Sequence, residues 1–202
     1  MAILRQAAFT DAKQMLKGGL HTHTTRSDGK LAPEESIRQY AANGYDFLAL
    51  TDHRFYNYAN YAPETGLLIL PGMEMDRSLT ADMGHCFHTV VIGPEKEAGN
   101  GYAQDERFAP GVVSDQREYQ PLIDSFRANN NLVIYCHPDW SRTPARSFDR
   151  LYGYFAMEIW NSGCACGNDM DTDNGNVWDE LLMQGKRVGA VATDDGHCAE
   201  HN

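Results

Sequence analysis

Two imidazoles stand two residues apart in His21-Thr22-His23, directly after Gly19-Leu20. On an extended strand, residues i and i+2 share a face, so one metal ion can take both ring nitrogens. Imidazole with carboxylate is the usual ligand mix for Zn(II), Mn(II) or Fe(II). The same event recurs along the chain. Leu50 leads through Thr51-Asp52 to His53, Leu70 through Pro71-Gly72-Met73 to Glu74, and Tyr135-Cys136 to His137-Pro138. Ala192 leads into Thr193-Asp194-Asp195-Gly196-His197, and His88 lies within an apolar run. A lone histidine at a strand end is more often a hydrogen-bonded or surface residue. Six such positions in one chain, using most of its eight histidines, point instead to a shared metal cluster. Glu74 could bridge two ions, one through each oxygen. Of His85 and His88, three residues apart, His88 is the expected ligand because it begins Thr89-Val90-Val91-Ile92. His85 reads as a loop or supporting residue, and His201, next to the C-terminus, as uninvolved.

These side chains need strands to bring them together. Short apolar runs rich in β-branched or aromatic residues recur at Gly19-Leu20, Asp46 to Thr51, Leu67 to Leu70, Cys86 to Ile92, Leu132 to Cys136, Phe155 to Trp160 and Val188 to Thr193. Several are continuous rather than alternating, as in parallel strands covered on both faces. Helices are expected over Pro33 to Asn43, which opens Pro-Glu-Glu and stops at Gly44, over Gln116 to Asn129, and over Val177 to Gln184 before Gly185. Glu95 to Ser114 and Ser162 to Gly175 read as long loops. Strands alternating with helices predict an α/β fold with a largely parallel sheet, whose carboxyl strand ends collect ligands on one face.

At 202 residues, with no repeat or composition break, the chain reads as one domain over 1–202. No apolar run is long enough to cross a bilayer and Met1 to Gly19 carries no leader pattern, so a cytoplasmic location is the expectation. The net charge of -11 argues against long nucleic acid as partner, while bound cations would still permit a small phosphorylated substrate. Five cysteines without a CxxC pair give neither a disulfide framework nor a four-cysteine zinc site, and Cys164 and Cys166 read as incidental loop thiols.

The ordered set, His21-Thr-His-Thr-Thr-Arg-Ser-Asp28-Gly, Pro33-Glu-Glu, Asp46-Phe-Leu-Ala-Leu-Thr-Asp-His53, Pro71-Gly72-Met73-Glu74, His88, Cys136-His137-Pro138 and Asp194-Asp195-Gly196-His197, resembles the PHP (polymerase and histidinol phosphatase) family. The resemblance implies a distorted (β/α)7 barrel, here with a short or missing C-terminal closing element. It also implies two or three divalent ions, Zn, Mn or Fe. His21, His23, Glu74 and an Asp of the 194–195 pair would hold one ion, Glu74, His88 and His137 a second, and Asp28, His53 and His197 a third. The family's usual Asp-x-His selects Asp195, while spacing alone leaves Asp194 open. The implied activity is phosphoester hydrolysis by a metal-bound hydroxide, with Glu74, Asp194 and His197 bearing on catalysis. Arg54, Arg77 and Arg142 are candidates for gripping phosphate through their planar forks. Glu158, charged in an apolar strand, reads as a support for a ligand histidine. The rival readings are cleavage of a C–N bond at the same cluster, in the manner of an amidohydrolase, and a non-catalytic metal-binding domain.

Overall fold

The computed structural model describes residues 15–79, 85–168 and 172–198. Among them the first sheet comprises β1 (Gly18–Gly19), β2 (Phe47–Ala49) and β3 (Leu68–Leu70), all parallel. The second comprises β4 (Gly72–Leu79), β5 (Cys86–Ile92), β6 (Val112–Val113), β7 (Leu132–Tyr135), β8 (Ala156–Asn161) and β9 (Gly189–Thr193). Its order is β6-β4-β5-β7-β8-β9. Two isolated parallel bridges tie the sheets together, Thr22 with Gly196 joining the segments after β1 and β9, and His53 with Glu74 joining the segment after β2 to β4. The pairing thus makes a circuit, consistent with the distorted barrel that the resemblance implies.

The seven expected runs are all strands, and the parallel expectation has one exception. β5 runs antiparallel to both β4 and β7. Too few residues separate Leu79 from Cys86 for the crossover that a parallel pair requires, so β4 and β5 pair as neighbours in a hairpin. This reversal places the amino end of β5, with His88, beside the carboxyl ends of the parallel strands. A second correction concerns Glu74. It does not follow a strand end but sits inside β4, opposite Val90.

The helices are α1 (Pro33–Ala42), α2 (Gln116–Ala128), α3 (Ala145–Phe148), α4 (Ser162–Asn168) and α5 (Gly175–Met183). α1 begins with Pro33 at its first turn, and Glu35 accepts the Ala32 N–H at 3.1 Å. It buries Ile37 and Tyr40 against Leu48, Leu50 and Ile69. α2 is capped by Asp115, which accepts the Arg117 N–H at 2.8 Å, and buries Tyr119, Ile123 and Phe126. α4 corrects the loop expected from Ser162 onward. Its start is capped by Asn161, whose Oδ1 accepts the Cys164 N–H at 2.8 Å. Gly163 and Gly167 are poor helix formers, which is why composition hid it. Inside the circuit, Ala49, Val90, Ile134, Cys136 and Ala156 form an apolar floor beneath the candidate ligands. Among the described residues no helix is long and apolar enough to cross a membrane.

Candidate metal centre

Glu74 is the hub. Its two oxygens face different imidazoles: Oε2 lies 3.3 Å from His21 Nε2, 3.2 Å from His23 Nε2 and 3.1 Å from His53 Nδ1. Oε1 lies 2.8 Å from His88 Nδ1 and 3.2 Å from His137 Nε2. Strand alternation points Glu74 and Asp76 to this face while Met73 and Met75 enter the core on the other. Asp195 Oδ1 stands 3.3 Å from His21 Nε2 and 3.2 Å from His23 Nε2. Asp28 closes the mouth, 3.3 Å from His23 and 3.6 Å from both His53 and His197.

The side chains beneath these ligands decide which ring nitrogen is free. Glu158, fully buried, accepts the His21 Nδ1–H at 2.7 Å, the Thr193 hydroxyl at 2.7 Å, the His137 backbone N–H at 2.9 Å and the Asn161 amide at 3.0 Å. With Nδ1 donating to Glu158, the Nε2 lone pair of His21 is left for the cluster. His197 Nδ1–H donates to the Asp195 carbonyl at 2.8 Å, which turns its Nε2 toward Asp28. Asp52 holds the turn that carries Asp28 by accepting from Thr24 N at 2.8 Å, Ser27 N at 3.1 Å and Ser27 Oγ at 2.9 Å. Arg54, His137 and Asp195 have positive φ of 56°, 26° and 46°. Such backbone persists where surrounding contacts hold it, and here it occurs at the strand ends that bear ligands.

Buried charge is concentrated here. Burial opposes the charged form of His21, His23 and His88, yet the facing carboxylates of Glu74 and Asp195 win, and His23 is pushed up to about 9. Burial would likewise raise Glu74 and Asp195, but the surrounding imidazoles hold both carboxyls well below the usual range. Asp195 Oδ1 and His53 Nδ1 are buried without a well-formed hydrogen bond. The Nε2 atoms of His21 and His23 face one another at 3.2 Å, a contact that two neutral imidazole lone pairs do not favour. Orphaned polar atoms, converging lone pairs and anionic carboxylates together fit divalent cations. Among the described residues, four groups of ligand atoms have the spacing to hold one: His21, Glu74, Cys136 and His137; His23, Asp28, His53 and His197; His21, His23 and Asp195; and His53, Glu74 and His88.

The expected ligands His21, His23, Asp28, His53, Glu74, His88, His137, Asp195 and His197 are all brought together. Asp194 is not. Its neighbour Asp195 takes the inward direction, and Asp194 accepts the Tyr45 hydroxyl at 2.9 Å instead. Of the arginines, Arg54 borders the cluster but is engaged with Asp76. Arg77 alternates to the opposite face of β4, where it meets Met75 Sδ at 3.7 Å, and Arg142 is exposed outside the cleft. His85 precedes β5 outside these groups, and His201 lies outside the described residues.

Four residues escaped the sequence reading. Asp76 lies 3.2 Å from His53, and its signal was the Glu-x-Asp spacing on one strand face. Cys136 adds a buried thiol that burial pushes well up. Lys30 and Trp140 line the cleft above the ligands, a cavity of about 360 Å3, and carry no motif.

No curated protein matches the chain. Among solved structures it is similar to an amidohydrolase from Chromobacterium violaceum with bound sulfate and no metal, at TM-score 0.63 and 16% identity over 90% of this chain and 88% of that one. It is also similar, at TM-score 0.57 and 14% identity, to a candidate metal-dependent phosphoesterase from Bifidobacterium adolescentis, over 91% of this chain and 88% of that one. A two-domain protein from Bacteroides vulgatus, containing a predicted PHP-like metal-dependent phosphoesterase, matches at TM-score 0.57 and 14% identity. That match covers 92% of this chain and 53% of that protein, so the chain spans about half its length. At these identities the likeness is one of fold. Residues 19–168 match the PHP domain, a span that contains every candidate ligand from His21 to His137, and the turn after β9 adds Asp195 and His197 from beyond it. By that match over most of its length, the chain belongs to the PHP domain family.

Proposed function

We propose that the protein is a metal-dependent phosphoesterase acting on a small phosphorylated substrate, with two or three divalent ions held by His21, His23, Asp28, His53, Glu74, His88, His137, Asp195 and His197. The observation that carries this reading is Glu74, whose oxygens each face a separate set of histidines at the floor of an open cleft. When bound, such ions supply Lewis acidity toward phosphoryl oxygens and a nucleophile acidified to near neutral pH. The chain's own residues do the rest. Glu158 keeps the His21 proton on Nδ1, and the apolar floor excludes water from beneath the ligands. Where only two ions are bound and His197, 37% exposed at the mouth, carries no metal, its Nε2 can hold a proton for the leaving alkoxide; with a third ion bound, Nε2 is a ligand instead. Lys30 adds a positive charge to the cleft lining for the substrate's anionic group.

The phosphoesterase and PHP-like names of two structural neighbours support the reading, and the sulfate bound in the third is an anion of similar shape to phosphate. That third neighbour is named an amidohydrolase, which keeps C–N bond cleavage as the second reading. Metal analysis of purified protein, paired with p-nitrophenyl phosphate turnover before and after chelation, tests both. Two or three bound ions, with turnover lost on chelation and restored by Mn or Zn, is the expected result. Bound metal with turnover only of amide substrates would move the assignment to the second reading, and absence of metal would overturn both.

A further inference from the structure

The cleft has an asymmetry that the metal ligands do not explain. Among the described residues that line it, Trp140, on the turn after β7, is the one large aromatic side chain besides the imidazoles, and it is 36% exposed. The ring is held in place. It meets His88 and His137 edge to face, with centroids 5.4 and 5.1 Å apart. Its turn is closed by Ser141 N donating to the His137 carbonyl at 3.0 Å and by Thr143 N donating to the Pro138 carbonyl at 2.9 Å. Asp139 N donates to the buried Asn174 side chain at 3.1 Å. A tryptophan fixed this way presents its open surface without a further entropy cost on binding.

The helix α4 contributes the other unusual part of the lining, Gly163, Cys164 and Gly167. Gly163 and Gly167 are four apart and share a helix face, and nothing lies within 4 Å of a Cβ built at Gly167. Gly167 therefore leaves room that a larger side chain would fill, whereas Gly163 is packed against the Asp195 carbonyl. The cavity of about 360 Å3 is at the small end of ligand clefts, enough for a phosphoryl group and one ring.

Resting on the phosphoesterase reading, we infer that Trp140 is a specificity-determining residue, a platform that selects phosphate monoesters whose leaving group carries a single aromatic ring. The phosphoryl end lies toward Glu74 and the ligand histidines, with Lys30 as a further cationic contact, and the ring stacks on Trp140. Stacking of a planar group on an aromatic side chain contributes enough for about a tenfold preference.

The test uses phenylphosphonate and methylphosphonate, which share the anionic group but not the ring and have no ester bond to hydrolyse. Their binding to the metal-loaded protein is measured by calorimetry for the wild type, Trp140→Ala and Trp140→Phe, with metal content determined for each. The expected result is that the wild type binds phenylphosphonate about tenfold tighter. That preference falls to within about twofold in W140A, W140F lies between, and metal content is unchanged. Equal affinities in the wild type, or a preference that survives in W140A, would overturn the assignment. So would a loss of metal in W140A that weakens both phosphonates equally, since Trp140 would then only brace His88 and His137. If the preference holds while no phosphate ester is turned over, the ring platform stands and the hydrolase reading fails. Binding of neither phosphonate would reject both.

Discussion

Each candidate ligand depends on a partner that makes its lone pair available. Glu158 shows this most directly: four donors converge on one buried carboxylate, and two of them belong to ligand histidines. Glu158→Gln presents an amide N–H2 to donors that need an acceptor, so His21 loses its fixed tautomer. Metal affinity in E158Q is expected to fall about 10–100-fold. A chelator-competition titration measures it, and an unchanged affinity would remove Glu158 from the site. Much of the residue-level site was legible in the sequence because ligand chemistry restricts it to His, Asp and Glu at recurring places. The choice between Asp194 and Asp195 was not legible. The left-handed backbone at Asp195, φ 46°, and the Tyr45 hydroxyl, far away in sequence, set the direction taken by Asp194.

At the scale of elements, two departures build the site. The reversal of β5 sets His88 opposite Asp76 and within reach of Glu74. The short helix α4 packs so tightly on the turn after β9 that Gly163 N donates to the Asp194 carbonyl at 2.7 Å. A Cβ at Gly163 would lie 2.4 Å from the Asp195 carbonyl oxygen, a backbone atom that cannot swing aside. Gly163→Ala is therefore expected to displace α4 or Asp195, costing about 1–3 kcal/mol. For a chain of this size that lowers Tm by about 2–4 °C for each kcal/mol. Thermal melts with and without metal check this, and the metal-loaded form is expected to lose more because Asp195 is a candidate ligand. A melt identical to the wild type would show that the contact is slack.

For the whole molecule, the site is a buried set of opposite charges whose balance changes with pH. In the metal-free protein, His21, His23 and His88 are raised above their ordinary value of 6.5, while Glu74 and Asp195 are lowered. A raised histidine stabilises the fold fully below its unfolded value and loses that contribution as pH climbs through the folded one, about 9 for His23. Lowered carboxylates contribute above their unfolded values, about 4, and lose that contribution as pH falls through the folded ones. The metal-free protein is thus expected to be most stable at about pH 4.5–6.5 and to weaken toward pH 9. Metal binding needs unprotonated imidazole, so the gap in Tm between loaded and chelated protein should widen over the same interval. Melts of both forms at pH 6 and 9 measure this, and a chelated Tm that rises toward pH 9 would refute the charge pairing. The sequence by itself determined the α/β character, the seven strand runs and nearly all of the candidate ligands that the fold gathers, because hydrophobic runs and ligand chemistry are local properties. Only the tertiary structure decided that β5 reverses, that Asp195 and not Asp194 turns inward, that Arg54 is engaged by Asp76, and that Trp140 and Lys30 share the cleft. Those are set by which distant segments meet, and no local pattern of residues carries that information.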